Sequence, residues 1–148
     1  MPFQFRFAAI LELRRRERDE AGASVGQANE AIEKVDEQIR MKRSDRSNLR
    51  RDAESHRVGA VSVDFLLARG RYDLQLQAEI RSLDETLGEL HQERERRQAT
   101  LVEAEAELKK LEKLHERAED AYRKEMSRRE HAEAEDATTR RYILERQR

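Results

Sequence analysis

The sequence predicts an all-α fold, a long antiparallel two-helix coiled coil (an αα-hairpin) whose C-terminal helix is the longer. Three observations carry that reading. The 148-residue chain is 43% charged and 36% hydrophobic, with five glycines and one proline, whereas charged residues usually make up about 25%. Such a chain has little turn chemistry for a sheet. With no Trp, four Phe and three Tyr it also lacks the aromatic mass of a thick core. Second, apolar residues recur at alternating steps of four and three along both halves, the period of a coiled-coil seam. Third, a glycine-containing break separates the two periodic stretches near the middle of the chain.

Helix one is expected over about residues 4–57. From Phe7 to His56 the seam visits fifteen positions, of which ten are apolar. Arg14, Arg18, Lys42 and Arg46 occupy seam positions, which lowers stability and suggests a flexible or partner-dependent coil. The turn is expected at about residues 58–62, Val58-Gly59-Ala60-Val61-Ser62. Its Ser is suited to cap a new helix at Val63. Helix two is expected over about residues 63–145, and its seam from Leu76 to Tyr122 is apolar at eleven of fourteen positions. Residues 1–148 then form one coiled-coil domain.

A turn centred near residue 60 pairs residues whose numbers sum to about 120. Helix two then outruns helix one, and residues from about 117 to 148 have no intramolecular partner. In this register Arg94 and Arg97 face Gly22-Ala23-Ser24-Val25-Gly26, where small residues let the arginine stems cross. The alternative architecture is a parallel dimer of nearly continuous helices. Acid-before-base pairs four residues apart, such as Glu30–Lys34 and Glu105–Lys109, read as a solvated outer face, each adding about 0.2–0.5 kcal/mol.

Composition also excludes function classes. The 31 Lys+Arg and 32 Asp+Glu give a net charge of -1, so no overall field draws the chain to nucleic acid or to an anionic membrane. Basic clusters such as Arg14-Arg15-Arg16 are interleaved with acids and lack aromatic stacking partners. Absence of cysteine removes disulfides, thiolate metal sites and cysteine nucleophiles. Glu112-x-x-His115 matches half of a di-iron helix motif, but the other histidines lack the matching acid, so no metal or other cofactor is expected. No phosphate loop or hydrolase elbow is present, and a two-helix rod lacks a water-excluding cleft. Neither an enzyme nor a small-molecule binder is expected. No apolar run approaches the ~18 residues of a membrane span, and the expected address is cytoplasmic.

The opening Phe3-Gln4-Phe5-Arg6, then Leu11-Glu12-Leu13-Arg14, then an acid-rich run ending in Ala21, resembles the start of the flagellar export protein FliJ family. The stretch Lys113-Leu114-His115-Glu116, closing on Tyr122, is similar to that family's Lys-Leu-x-Glu segment before a Tyr. Arg129-Glu130, Glu135-Asp136 and Arg140-Arg141 resemble its ending. The resemblance implies a non-enzymatic component of flagellar type III export, an antiparallel coiled coil similar to the central stalk of rotary ATPases. Its implied partners are the hexameric export ATPase, an export-gate membrane protein and export chaperones, at the inner-membrane export apparatus. The family's gate-contacting region maps to Gln38, Tyr72 and Leu76 here, with Lys42 and Asp45 where apolar or aromatic residues are expected.

The likeness to a rotary stalk, joined to the overhang of helix two, places the ATPase contact on Tyr122, Arg123, Arg128, Arg129, Arg140, Arg141 and Tyr142. Tyr122, Met126, Tyr142 and Ile143 are expected to lie uncovered there. The chain is expected to be a monomer when free. An injectisome stalk protein of the same architecture, or a generic structural coiled-coil dimer, are the alternative readings.

Overall fold

A computed structural model describes residues 2–55 and 62–148. Two helices make up the described chain, α1 (Ala8–Ser55, 48 residues) and α2 (Val63–Arg146, 84 residues). No strand occurs among the described residues. The helices pack against each other as a helical hairpin coiled coil. Of the turn expected at about 58–62, residues 58–61 lie outside the described residues, as does His56.

The seams explain why these segments are helical. Neither helix is stable on propensity alone at such polarity; each needs an apolar stripe covered by the other. The buried residues are Leu11, Ala21, Ala28, Ile32 and Ile39 on α1, and Leu76 and Leu108 on α2. All seven are seam positions. From Leu76 to Tyr122 every seam residue of α2 is buried or half-buried, as are those of α1 from Leu11 to Ala53. Among the described residues no polar or charged residue is buried. Two helices in contact can cover only one narrow stripe each, so the core stays thin.

Contacts group the chain into two compact units, Met1–Asp19 with Glu103–Arg148, and Glu20–Val102. In the second unit Arg46 meets Asp73, Lys42 meets Glu79 and Arg97 meets Ser24. Numbers rise on one helix as they fall on the other, each pair summing to about 120, so the helices are antiparallel. Within the first unit Phe5 meets His115, in the same sense.

Both helix starts have local causes. The Ser62 carbonyl accepts the Leu66 N–H at 3.2 Å, the first intrahelical bond of α2, and Asp64 places an acid in the positive first turn. The start of α1 corrects the expectation of a helix from about residue 4. Residues 2–5 are non-helical, Arg6 and Phe7 form a turn closed by Ala8 N–H to Phe5 O at 3.2 Å, and α1 begins at Ala8. Phe3 and Phe5 are half-buried while Pro2, Gln4 and Arg6 are exposed. That alternation is the period of extended chain.

Candidate partner-binding surfaces

In the unit Glu20–Val102, the charged seam positions of α1, Lys42 and Arg46, sit beside acids of the facing helix. Lys42 Nζ lies 2.7 Å from Glu79 Oε2. This hydrogen bond holds the lysine above its ordinary titration range and the Glu79 carboxyl below its own, with Asp45 and Tyr72 acting more weakly on the lysine. One turn on, Arg46 Nε donates to Asp73 Oδ1 at 2.7 Å, and Gln77 Nε2 donates to Oδ2 at 2.9 Å. The Asp73 carboxyl is held below the usual carboxylate range, Arg46 being the largest cause. Both pairs are about one-third exposed, so solvent screens them and they serve register more than stability.

This arrangement changes the meaning of the charged seam. Lys42 and Arg46 are paired across the seam: they are half-buried within the stripe and their heads reach acids flanking it. On α1, Arg14 pairs with Glu17 at 2.8 Å and Arg18 with Asp19 at 2.9 Å. The register rule alone would have found the cross-helix pairs, because 42 with 79 and 46 with 73 each sum to about 120.

Arg97 crosses to the small-residue stretch as expected, donating from Nη1 to the Ser24 carbonyl at 2.8 Å and from Nε to Glu93 at 3.1 Å. The bond is made to backbone, and a Cβ placed on Gly22 or Gly26 would meet nothing within 4 Å, so there is room for alanine at either glycine.

Of the three residues assigned to the export gate, Gln38 is exposed on α1 and Tyr72 is exposed on α2. Leu76 is 2% exposed, the most deeply covered of the buried apolar residues. Gln38 stands one helical turn before Lys42 on α1.

In the unit Met1–Asp19 with Glu103–Arg148, the N-terminal arm covers part of α2 that was expected to be bare. The Phe3 ring lies 5.4 Å from Tyr122 and 5.6 Å from His115, and Phe5 lies 5.0 Å from His115, edge-on. Tyr122 and Met126 are half-buried. The expectation that they lie uncovered is wrong, and for Tyr122 the reason is that extended chain advances about 3.3 Å per residue against 1.5 Å in a helix. The non-helical start therefore carries Phe3 to Tyr122, farther along α2 than the 120 rule allows. The alternation in Phe3-Gln4-Phe5-Arg6-Phe7 was the available signal.

Beyond Met126 every side chain of α2 is exposed. The 4-3 walk past Tyr122 meets Glu125, Arg129, Ala132, Asp136 and Thr139, so no apolar stripe continues. Local pairs take its place. Arg123 donates to Glu119 at 3.0 Å, and Glu125 receives both Arg128 and Arg129, which lower its titration range. The last turns expose Tyr142, Ile143 and Leu144 beside Arg140 and Arg141, with the Arg146 guanidinium 5.6 Å from the Tyr142 ring centre.

Among the described residues no group of three or more His, Cys, Asp or Glu is placed to hold a metal ion. His115 sits between phenylalanine rings with Nδ1 4.0 Å from Glu119. No helix is long and apolar enough to cross a membrane among those residues.

The family model for the flagellar FliJ protein matches residues 3–147, nearly the whole chain. The chain belongs to the flagellar FliJ family. Membership ties it to flagellar export and accords with the two-helix coil. No curated protein and no solved structure matches this FliJ-family chain.

Proposed function

We propose that this chain is a non-enzymatic, stalk-like component of the flagellar export apparatus that binds the hexameric export ATPase through the end of α2 and promotes ring assembly. One observation supports the reading most: residues 127–146 are helix whose side chains are all exposed. A helix held without an intrachain stripe is available to a partner, and its arginines suit carboxylates lining a ring's pore. Tyr122, Arg123, Arg128, Arg129, Arg140, Arg141 and Tyr142 make that contact, Tyr122 by way of the ring surface that the N-terminal arm leaves open. Arg123, Arg128 and Arg129 are already paired to local acids; they exchange these partners for stronger ones in the pore.

The gate-membrane protein is met on the face of Gln38 and Tyr72, which Leu76 shapes from beneath, and export chaperones are carried along the same coil. Residues 1–148 act as one domain, monomeric when free, cytoplasmic and peripheral to the inner-membrane export apparatus. Deleting residues 126–148 tests the reading. Co-purification with the flagellar export ATPase and the mass of the ATPase assembly should both fall, while helicity of the remaining chain stays high. Undiminished ring assembly with the truncated chain would place the ATPase contact elsewhere.

A further inference from the structure

The first turns of α2 present two different faces, one on either side of the residues that meet α1. Tyr72 lies on one of them, beside Lys42 and Asp45 of α1, and Phe65 stands one heptad before it. The other face carries a narrow second stripe. At 100° per residue, Val63, Leu67, Gly70 and Leu74 fall within about 60° of one another, turned about 110° from the α1-facing Leu66, Arg69 and Asp73. Val63, Leu67 and Leu74 are 69%, 53% and 65% exposed, and a Cβ on Gly70 would meet nothing within 4 Å.

This stripe borders a groove between the helices. Gly70 and Arg50 line that groove of about 250 Å³ together, so Arg50 and the stripe share one side of the coil. Arg43, one heptad before Arg50, lies on the same side, and Arg40 one turn earlier. On α2, Arg71 flanks the outer edge of the stripe and Arg81 continues its line. All five arginines are exposed. The acids on this side are Glu54 and Asp64, so it is cationic by three charges. Over residues 40–54 and 63–81 as a whole, nine Lys and Arg stand against six Asp and Glu. The remaining four cations and four acids therefore balance, the pairs Lys42–Glu79 and Arg46–Asp73 among them. The whole excess sits beside the second stripe.

We propose that this side of the coil, from Val63 to Arg81 on α2, docks an acidic amphipathic α-helix of a partner protein. A stripe this narrow is read by one helix laid along the groove as a third member of the coil. Eighteen residues of rise give it about 27 Å, or five turns. Leu67 and Leu74 take the apolar side of the incoming helix, and Gly70 lets its backbone approach. Arg43 and Arg50 along one edge, with Arg71 along the other, meet the acids that flank an apolar stripe at e and g positions. The site goes beyond the export-gate and ATPase contacts: it faces away from Tyr72 and lies on a different stretch of α2 from residues 122–142.

Fluorescence anisotropy of the full-length chain with two labelled synthetic peptides tests this. Both peptides run for about three heptads with Leu at a and d; one carries Glu at every e and g position and the other Lys. The Glu peptide is expected to bind at least tenfold tighter than the Lys peptide, by a margin that shrinks as salt is raised. The pair L67E/L74E should abolish binding with ellipticity at 222 nm intact, since both side chains lie outside the seam. Charge reversal in R43E/R71E should weaken it about tenfold. Tyr72→Ala, on the other face, and deletion of residues 126–148 should leave it unchanged. No binding of the Glu peptide, equal binding of both peptides, or binding that survives L67E/L74E would each overturn the proposal. So would loss of binding in Tyr72→Ala, which would put the peptide on the gate face. Dimerisation of the chain alone that L67E/L74E abolishes, seen by sedimentation velocity, would overturn it by making the occupant a second copy. No arm uses the ATPase or the gate protein, so failure here leaves those readings standing.

Discussion

Replacing Gly22 and Gly26 by alanine separates two explanations of the stretch that Arg97 crosses. If smallness permits the crossing, added methyl groups should push the helices apart and weaken the coil. The structure predicts the reverse. A Cβ at either position meets nothing within 4 Å, and the Arg97 bond is made to the Ser24 carbonyl, a backbone atom that neither substitution removes. What remains is the helix propensity of glycine, which is less favourable than alanine by about 0.8–1 kcal/mol at an interior position. The two changes together should therefore stabilise the chain by about 1.5–2 kcal/mol, with each single variant contributing about half. Urea unfolding followed by circular dichroism at 222 nm measures this directly, provided that the m-value is unchanged. A loss of stability in either single variant would refute the reasoning and restore the steric role of the small residues.

The Asp73 carboxylate should impose an acid limit on stability. Its titration is depressed when folded, so the unfolded state binds more protons and stability rises with pH. The contribution is present above about pH 4, the ordinary aspartate range, and is lost as pH falls through the lower folded value. Thermal melts from pH 7 to 3 should show that Asp73→Asn flattens this decline; an unchanged pH profile would mean the Arg46 pair is not formed. Leu76, at 2% exposure, should cost about 2–3 kcal/mol when changed to alanine, the low end of such substitutions because a two-helix seam lets water and neighbours close the gap. Denaturant unfolding checks that figure, and a change below about 0.5 kcal/mol would place Leu76 outside the seam. The double variant Phe3→Ala/Phe5→Ala should shift the His115 ring resonances toward free histidine while leaving ellipticity at 222 nm nearly constant, since the arm is not helical. A large loss of helicity would show instead that the arm nucleates α1.

Fold class was legible because a 4-3 apolar period over several heptads admits few arrangements. The register was legible for the same reason: one glycine-containing break fixes which residues can face each other. Two features were not. Charged seam positions were taken singly as defects, although Lys42 and Arg46 acquire meaning only when paired through the register with Glu79 and Asp73. The N-terminal arm was absorbed into helix one because its period-two alternation lasts only five residues, too short to outweigh the strong helical pattern that follows. That misreading also left Tyr122 bare when Phe3 covers it. The polar walk through Glu125, Arg129 and Asp136 was readable, and it explains why α2 continues past Tyr122 with nothing laid against it. Which partner takes that surface is not written in periodicity at all; that part came from the order of motifs at the two ends of the chain.

Everything proposed for the end of α2 depends on the two seams pairing within one molecule in a register near 120. Spin labels at Asp36→Cys and Asp84→Cys, positions summing to 120 in a chain without native cysteine, measure this pairing by electron–electron double resonance. Packed helices lie about 8–10 Å apart, so the labels should be within about 20 Å of each other. That distance should persist when labelled protein is diluted tenfold with unlabelled protein. A short distance that disappears on dilution, or no short distance at all, would mean that the seams pair between chains and would contradict the account.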